Sequence, residues 1–179
     1  MKSGGDHPVL QRKSFKVAKW ISVLLFGSLA AGLAISLTYN LEGGPMAGLG
    51  ACLGVITLMA RIWGSRIELN ANNLTVVNPV LTYKIPYGAV KEVRGGGGAS
   101  LNMALDDGGE VYSTAFGGSV IDGFVNSSGR AAEVVRKTVK ERRGRSGGSV
   151  ERRLTHPIPS TCCLVGSIAC WVAAGVLGV

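Results

Sequence analysis

Few residues of this chain are of types that catalyse reactions or bind metals, and their spacing argues against both roles. The histidines, His7 and His156, lie in no spacing that would let them share a zinc ion with cysteines. No serine or cysteine has a plausible histidine partner for a hydrolytic triad. The cysteines form no C-x-x-C pair and fall in apolar segments, where free cysteine packs as a small hydrophobe: Cys52, Cys162, Cys163 and Cys170. We therefore predict no catalytic residue, no metal and no cofactor.

Two other motifs look like binding loops but are better explained by turns. The glycine run at 95–98 lacks the lysine and the serine or threonine of a P-loop, and it follows a predicted strand without opening a helix. Asp106 and Asp107 are adjacent carboxylates, but they precede two glycines between two predicted strands, which is typical of a β-hairpin turn. Reversible acylation of Cys162 and Cys163 at a membrane edge is left open.

Three long uncharged segments separate these residues. The chain has 179 residues, of which 46% are hydrophobic and 17% charged, and no charged residue lies in 20–41, 43–60 or 157–179. An apolar run of about 18 residues or more can span a bilayer as a helix. We therefore predict spanning helices at 20–41, 43–62 and 157–179. A signal peptide is the alternative for the first segment, but its apolar stretch is longer than a signal core and a second one follows directly.

The basic residues lie beside the predicted spans and predict their orientation. Of the net charge of +8, residues 1–19 carry five basic residues against one acidic, and residues 130–153 carry nine against three. Lysine and arginine accumulate at the cytoplasmic ends of spanning helices. We therefore predict a multi-pass protein of the cell membrane, with the N-terminus and central domain cytoplasmic and the C-terminus outside. Three aromatic residues are predicted to lie at the membrane interfaces: Trp20, Tyr39 and Trp63.

The same distribution favours an anionic membrane surface over nucleic acid as the partner of the basic residues. A lysine or arginine near anionic lipid head groups is attracted to them by about 1 kcal/mol. Residues 64–129 hold four basic and six acidic side chains, so the predicted domain itself has no basic excess. Nucleic-acid binding would need a basic surface on the folded domain itself, so it is not expected. The predicted contacts with the inner leaflet are Lys13, Lys16, Lys19, Arg136, Lys140, Arg142 and Arg143.

Between the second and third spans the pattern predicts a small all-β domain that is capped by one C-terminal helix. Short alternating segments with turn signals between them occupy about 66–116. Apolar residues at helical spacing predict an amphipathic helix at 130–143. The predicted domain is therefore 64–143, with a basic cytoplasmic tail at 1–19 and a linker at 144–156 that is flexible because of its glycines and serines.

Three motifs in this order resemble the bacterial pleckstrin-homology (PH) domain family. They are Val-Val-Asn-Pro at 76–79, Ile-Pro-Tyr-Gly-Ala-Val at 85–90 and Leu-Asp-Asp-Gly at 105–108, with the terminal helix after them. The chain looks most similar to membrane-anchored actinobacterial members whose PH domain is like that of low-molecular-weight protein antigen 6. Over about 65–142 the resemblance implies a seven-stranded, two-sheet β-barrel capped by one helix. It also implies a binding or scaffolding role without catalytic residues.

Two functions are left open. The first is an integral membrane protein that presents a cytoplasmic PH-like binding or scaffolding module to a protein partner or to the inner leaflet, without catalysis. The alternative is an accessory subunit of a transport or cell-envelope assembly complex. Glycines four residues apart, at 44 and 48 and at 50 and 54, permit close helix packing, either within the predicted hairpin or between copies in a homo-oligomer. The alternative is that these glycines have no specific packing role.

Overall fold

The structure is a computed structural model that describes residues 8–117, 126–145, 148–155 and 157–178. It divides into two compact units. The helical unit comprises Lys13–Trp63 and His156–Val179, and the β unit comprises Met1–Arg12 and Gly64–Thr155.

Three helices form the helical unit: α1 (Lys13–Tyr39), α2 (Gly43–Trp63) and α4 (Ile158–Val176). Within them, Val17–Tyr39, Gly43–Trp63 and Ile158–Val176 are long and apolar enough to cross a membrane, with mean hydropathies of 2.0, 1.6 and 1.6. Membrane-capable helices are thus present where the uncharged segments predicted them. The first helix begins earlier than the predicted span, since its N-terminal turns include the basic residues from Lys13 onward.

Small residues bring α2 close to both of its neighbours. A Cβ atom on Gly48 would lie 3.1 Å from Leu33 Cδ1 of α1, and one on Gly50 would lie 3.0 Å from Trp171 Cδ1 of α4. The Ser167 hydroxyl donates a hydrogen bond of 2.7 Å to the Gly50 carbonyl oxygen. Such hydrogen bonds between helices matter because lipid offers no competing partner. Glycines 48 and 50 therefore serve packing within one chain, and self-association stays a prediction.

The β unit contains two antiparallel sheets. The first has the order β1-β2-β3-β4-β8 and the second the order β5-β6-β7. The strands are β1 (Val9–Leu10), β2 (Arg66–Leu69), β3 (Asn73–Val77), β4 (Leu81–Pro86), β5 (Val90–Gly96), β6 (Ala99–Leu105), β7 (Glu110–Tyr112) and β8 (Glu151–Leu154). Among the described residues no ladder joins one sheet to the other, so the strands do not close into a barrel as the resemblance implied. The expectation of an antiparallel β domain is confirmed at this coarser level.

Both edges of the larger sheet come from segments that the sequence placed outside the domain. Strand β1 lies in the predicted tail and pairs with β2, and β8 lies in the predicted flexible linker and pairs with β4. All four residues of β8 are exposed, so the strand has no hydrophobic alternation to reveal it. It is held by backbone hydrogen bonds, which do not depend on residue type, and by Arg152, whose guanidinium lies 5.8 Å from the ring centroid of Tyr83.

Helix α3 (Ser127–Arg142) packs on the core of the β unit. It starts three residues before the predicted 130, and its buried face contains Ala131, Ala132, Val135 and Val139. It approaches β5 closely at Gly95, where a Cβ atom would lie 3.0 Å from Ala132 Cβ. The helix covers a core formed by both sheets, whose largest fully buried side chains are Tyr87, Ile67, Leu69, Leu74, Ile85, Leu101, Met103 and Leu105. Burying each such side chain contributes roughly 1.5–3 kcal/mol.

Asn78, in the turn between β3 and β4, links the two sheets through its side chain. Its Nδ2 donates to the Tyr112 carbonyl oxygen at 2.8 Å, and its Oδ1 accepts from the Thr114 N–H at 2.9 Å. The Asn78 amide therefore supplies hydrogen-bond partners for the Tyr112 carbonyl oxygen and the Thr114 N–H, two backbone groups at the end of β7 that take no part in strand pairing. The Thr155 hydroxyl, just after β8, donates to the Asn78 carbonyl oxygen at 3.0 Å. Asn78 is the first residue of the Asn-Pro motif, and its hydrogen bonds connect the turn between β3 and β4 with the end of β7 and the end of β8.

Candidate functional site

A groove with a volume of about 250 Å³ lies between strand β5 and helix α3. Its floor is apolar, since Val90, Val93 and Val139 line it and are all almost fully buried. Its remaining lining is charged, with four basic side chains and one carboxylate: Lys91, Arg136, Lys140, Arg143 and Glu92. The groove thus combines an apolar floor with a basic rim, whereas no lysine or arginine of the described residues lines the 430 Å³ cavity beside the turn after β6.

Helix α3 places Arg136 and Lys140 in the groove because residues four apart lie on the same face of a helix. Arg143 follows in the 3-10 turn Arg143–Arg145 that continues the helix. The Nη2 of Arg136 donates to the Val93 carbonyl oxygen at 3.0 Å, which fixes the guanidinium beside β5. Arg143 also approaches Asp106, with 3.9 Å between its Nη2 and the Asp106 Oδ1. Both side chains of this ion pair are about half exposed, so its energy is small.

Lys91 reaches the groove from the other side because β5 has a bulge at this point. Val90 pairs with Leu105 and Glu92 pairs with Ala104, so Lys91 is the extra residue between two consecutive partners on β6. A bulge lets two neighbouring residues point to the same side of a sheet. Accordingly, Lys91 and Glu92 are both exposed although they are adjacent in the strand. Lys91 was not among the residues predicted from the sequence, because only the strand pairing reveals its position.

The one carboxylate in the lining of the groove, that of Glu92, is engaged by Arg94. The Arg94 Nη2 lies 2.6 Å from the Glu92 Oε2. This hydrogen bond lowers the pKa of Glu92, and the charges of Arg136 and Lys91 lower that pKa further. The groove cations are therefore close enough to Glu92 to favour its ionised form, while Arg94 supplies its hydrogen bond.

Arg142, a predicted membrane contact, lies in a different environment. Its Nη1 donates to the Asn70 carbonyl oxygen at 2.7 Å, and its guanidinium stacks 5.8 Å from the ring centroid of Tyr87. The Tyr87 hydroxyl donates to the same Asn70 oxygen. Burial raises the pKa of Tyr87, against the lowering effect of the Arg142 charge. Arg142 thus connects the end of α3 to the turn after β2. These contacts leave its guanidinium less available to a membrane surface.

The other predicted membrane residues lie in the helical unit. Lys13 and Lys16 are in the first turns of α1, and their side chains fall outside the described part of the structure. Lys19 is exposed on the same helix. Of the predicted interface aromatics, Trp20 and Tyr39 are strongly exposed, at 66% and 82%. Trp63 is partly buried at the end of α2. Exposure of aromatic rings near the helix ends suits an interfacial position, which stays a prediction.

A second cavity, of about 430 Å³, contains the acidic hairpin turn after β6. Its two carboxylates have structural roles, since the Asp107 Oδ1 accepts from the Gly109 N–H at 2.9 Å and Asp106 faces Arg143. Gly108 has the positive φ of 82° that this turn requires. The predicted explanation of the Asp-Asp-Gly motif as a turn is thus consistent with its geometry. Within the described ranges there is also no group of three or more His, Cys, Asp or Glu side chains arranged to hold a metal ion.

A hydrogen-bonded network covers the solvent face of the smaller sheet. The Glu110 carboxylate accepts from the Tyr112 hydroxyl and from the Asn102 amide. These hydrogen bonds, the one from Tyr112 first, lower the pKa of Glu110, and the charge of Arg94 adds to the effect. The same contact with Glu110 raises the pKa of Tyr112. Glu110 and Tyr112 are exposed, whereas Asn102 is buried.

The comparisons with known proteins leave the family open. The sequence-based resemblance to PH domains therefore stays a prediction. Searches against protein-family models, curated proteins and solved structures gave no match for this chain.

Proposed function

We propose that this is an integral membrane protein that presents a cytoplasmic, PH-like binding module without catalytic activity. The observation that carries the proposal is that the segments leading into two membrane-capable helices are themselves strands of the β unit. Strand β1 precedes α1 by two residues, and β8 precedes α4 by three. Only two or three residues of the chain therefore separate each of these strands from the helix that follows it.

Charge supports the cytoplasmic orientation. Basic residues lie before α1, at the end of α2 and before α4, which are the helix ends next to the β unit in the sequence. The connection between α1 and α2 contains one charged residue, the acidic Glu42. The excess of lysine and arginine marks the cytoplasmic side. All three helices therefore favour the same orientation, with the β unit inside the cell.

The PH-like assignment is supported by architecture as well as by motifs. Two antiparallel sheets share a core, and a helix that follows β7 in sequence packs on it. The chain departs from the family pattern by adding β8 after the helix and, among the residues that the structure describes, by having no strand ladder between the two sheets. A non-catalytic role is supported by the carboxylates described above, which are engaged in turns, ion pairs and hydrogen bonds rather than aimed together into a cavity.

Reporter fusions test the orientation. We expect a fluorescent cytoplasmic reporter to be active when fused at the N-terminus, and an exported phosphatase to be active when inserted at the 40–42 connection. A phosphatase that is active when inserted at Gly144, in the β unit, would refute the cytoplasmic assignment.

A further experiment addresses the alternative function. Gentle detergent extraction should yield no stoichiometric protein partner for a lipid-contacting module, whereas a stable partner would favour an accessory subunit.

A further inference from the structure

All three connections between the β unit and the membrane-capable helices leave the larger sheet at the same end. The chain passes from β1 into α1 and from β8 into α4 at this end, and it enters β2 from α2 there. The connections have two or three residues, and a chain of that length extends over at most about 10–14 Å. The connected end of the sheet is formed by the cross-strand pairs Leu10 with Ile67, Arg66 with Val77, and Leu81 with Leu154.

The turn between β3 and β4 projects from the connected end and carries an exposed apolar side chain. It consists of Asn78, Pro79 and Val80, whereas the turn between β2 and β3 lies at the opposite end of the sheet. Val80 is 59% exposed, and Leu154 at the end of β8 is 61% exposed. The Thr155 N–H donates to the Val80 carbonyl oxygen at 2.9 Å, which holds the turn beside the end of β8. Two exposed apolar side chains therefore occupy neighbouring positions where the chain continues into α4.

The backbone of this turn is suited to surroundings that contain little water. The Asn78 N–H donates to the Leu81 carbonyl oxygen at 3.1 Å, and the Asn78 carbonyl oxygen accepts from the Thr155 hydroxyl at 3.0 Å. Pro79 has no N–H to satisfy. An unpaired backbone group is costly in an apolar medium, because lipid supplies no partner for it. These groups of the turn therefore keep their hydrogen bonds without help from water.

We propose that the connected end contacts lipid directly, with the side chains of Val80 and Leu154 inserted into the interface of the bilayer. This inference rests on the proposed function, because it requires the three helices to span a membrane. Apolar side chains of an interfacial element reach about 5–10 Å into the boundary between head groups and acyl chains. The partner is the bilayer rather than a particular head group, since Val80 and Leu154 carry no charge that could recognise one.

The proposed contact is separate from the groove between β5 and α3. Helix α3 starts near the connected end, where the Arg12 Nε donates to the Ser127 Oγ at 3.0 Å. It ends at Arg142, which donates to the Asn70 carbonyl oxygen in the turn at the opposite end of the sheet. A helix of this length rises by about 22 Å between its ends. The basic residues at the end of α3 therefore lie away from the apolar surface that we assign to lipid.

The test uses the full chain in nanodiscs of phosphatidylcholine alone. A photo-crosslinking amino acid, p-benzoylphenylalanine, replaces Val80 in one variant and Asn72 in another, because Asn72 is exposed in the turn at the opposite end of the same sheet. A second matched pair replaces Leu154 or Glu151, the last and first residues of β8. Mass spectrometry after irradiation measures the yield of lipid adducts. Hydrogen exchange of β6 shows whether each variant keeps its fold.

We expect at least about tenfold more lipid adduct from position 80 than from position 72. The five residues of β3 separate the two turns by roughly 16 Å, which exceeds the depth that interfacial side chains reach. Position 154 should likewise give more lipid adduct than position 151.

Equal yields from positions 80 and 72, or crosslinks of position 80 to protein instead of lipid, would overturn the proposal. If the variant at position 80 does not fold, the comparison of positions 154 and 151 decides in the same way. The reporter fusions test the proposed function separately. A β unit that the fusions place in the cytoplasm but that gives no lipid adducts would refute the lipid contact alone.

Discussion

Replacing Asn78 should loosen the β unit as a whole, because this side chain joins the two sheets. In Asn78→Ala the Tyr112 carbonyl oxygen and the Thr114 N–H each lose their partner. A hydrogen bond of this kind contributes about 1 kcal/mol net, so the loss of both destabilises the unit by about 2 kcal/mol. The turn itself should persist, since the Asn78 N–H still donates to the Leu81 carbonyl oxygen.

Asn78→Asp separates the two hydrogen bonds. The introduced carboxyl can still accept from the Thr114 N–H, but at neutral pH its second oxygen faces the Tyr112 carbonyl oxygen where the amide donor was. This repulsion raises the pKa of the introduced carboxyl in the folded state. The penalty is therefore present at neutral pH and is relieved as the pH falls through that raised pKa, because the protonated carboxyl can donate again.

Hydrogen exchange of strand β6 in the full chain measures these effects. The three tryptophans all lie in the helical unit, so their fluorescence does not report on the β unit. A loss of about 2 kcal/mol corresponds to about 30-fold faster exchange of the β6 amides. Asn72→Ala is the control, because Asn72 is an exposed asparagine in another turn of the same sheet. If Asn78→Ala accelerated exchange no more than Asn72→Ala, the role of Asn78 as the link between the sheets would be refuted.

Three further predictions follow from single contacts. Gly95→Ala should destabilise the β unit by about 1–3 kcal/mol because its Cβ would collide with helix α3, whereas Gly144→Ala, which has open space, should be neutral in the same exchange experiment. Ser167→Ala should lower the stability of the helical unit by about 0.6 kcal/mol through loss of a hydrogen bond between helices, which a thermal melt followed by tryptophan fluorescence would detect. Glu110 has a lowered pKa, mainly through the hydrogen bond from Tyr112, so its stabilising effect is present at neutral pH and is lost as the pH falls through that lowered pKa. The free energy of unfolding, measured from neutral to acid pH, should therefore fall less steeply in Glu110→Gln than in the wild type. An unchanged slope would contradict this role of Glu110.

The helical unit and the general nature of the β unit could be predicted from the sequence, because both leave local patterns. Uncharged segments of sufficient length indicate membrane-capable helices, and turn residues such as those at 106–109 divide the strands. The edge strands could not be predicted. In β8 all residues are exposed, so no alternation distinguishes it from a linker, and β1 has two residues. Backbone pairing with a partner distant in sequence holds both strands.

The groove was not predicted from the sequence. The charge distribution predicted Arg136, Lys140 and Arg143 as contacts with a membrane surface, and the structure places all three in the lining of the groove. The same charge argument included Arg142, whose guanidinium is held inside the domain by Asn70, a residue far away in the chain. It missed Lys91, which reaches the groove through a bulge that depends on the register of β5 against β6.

The sequence by itself determined the three membrane-capable helices, the position of the basic residues beside them and the β character of the region between. These properties depend on hydrophobicity, charge and turn preference, which act over a few residues. Tertiary structure alone decided which segments close the edges of the larger sheet, how Asn78 links the two sheets and which basic side chains share a groove. Those properties depend on contacts between residues far apart in the chain, where pairing register and packing, rather than local composition, set the outcome.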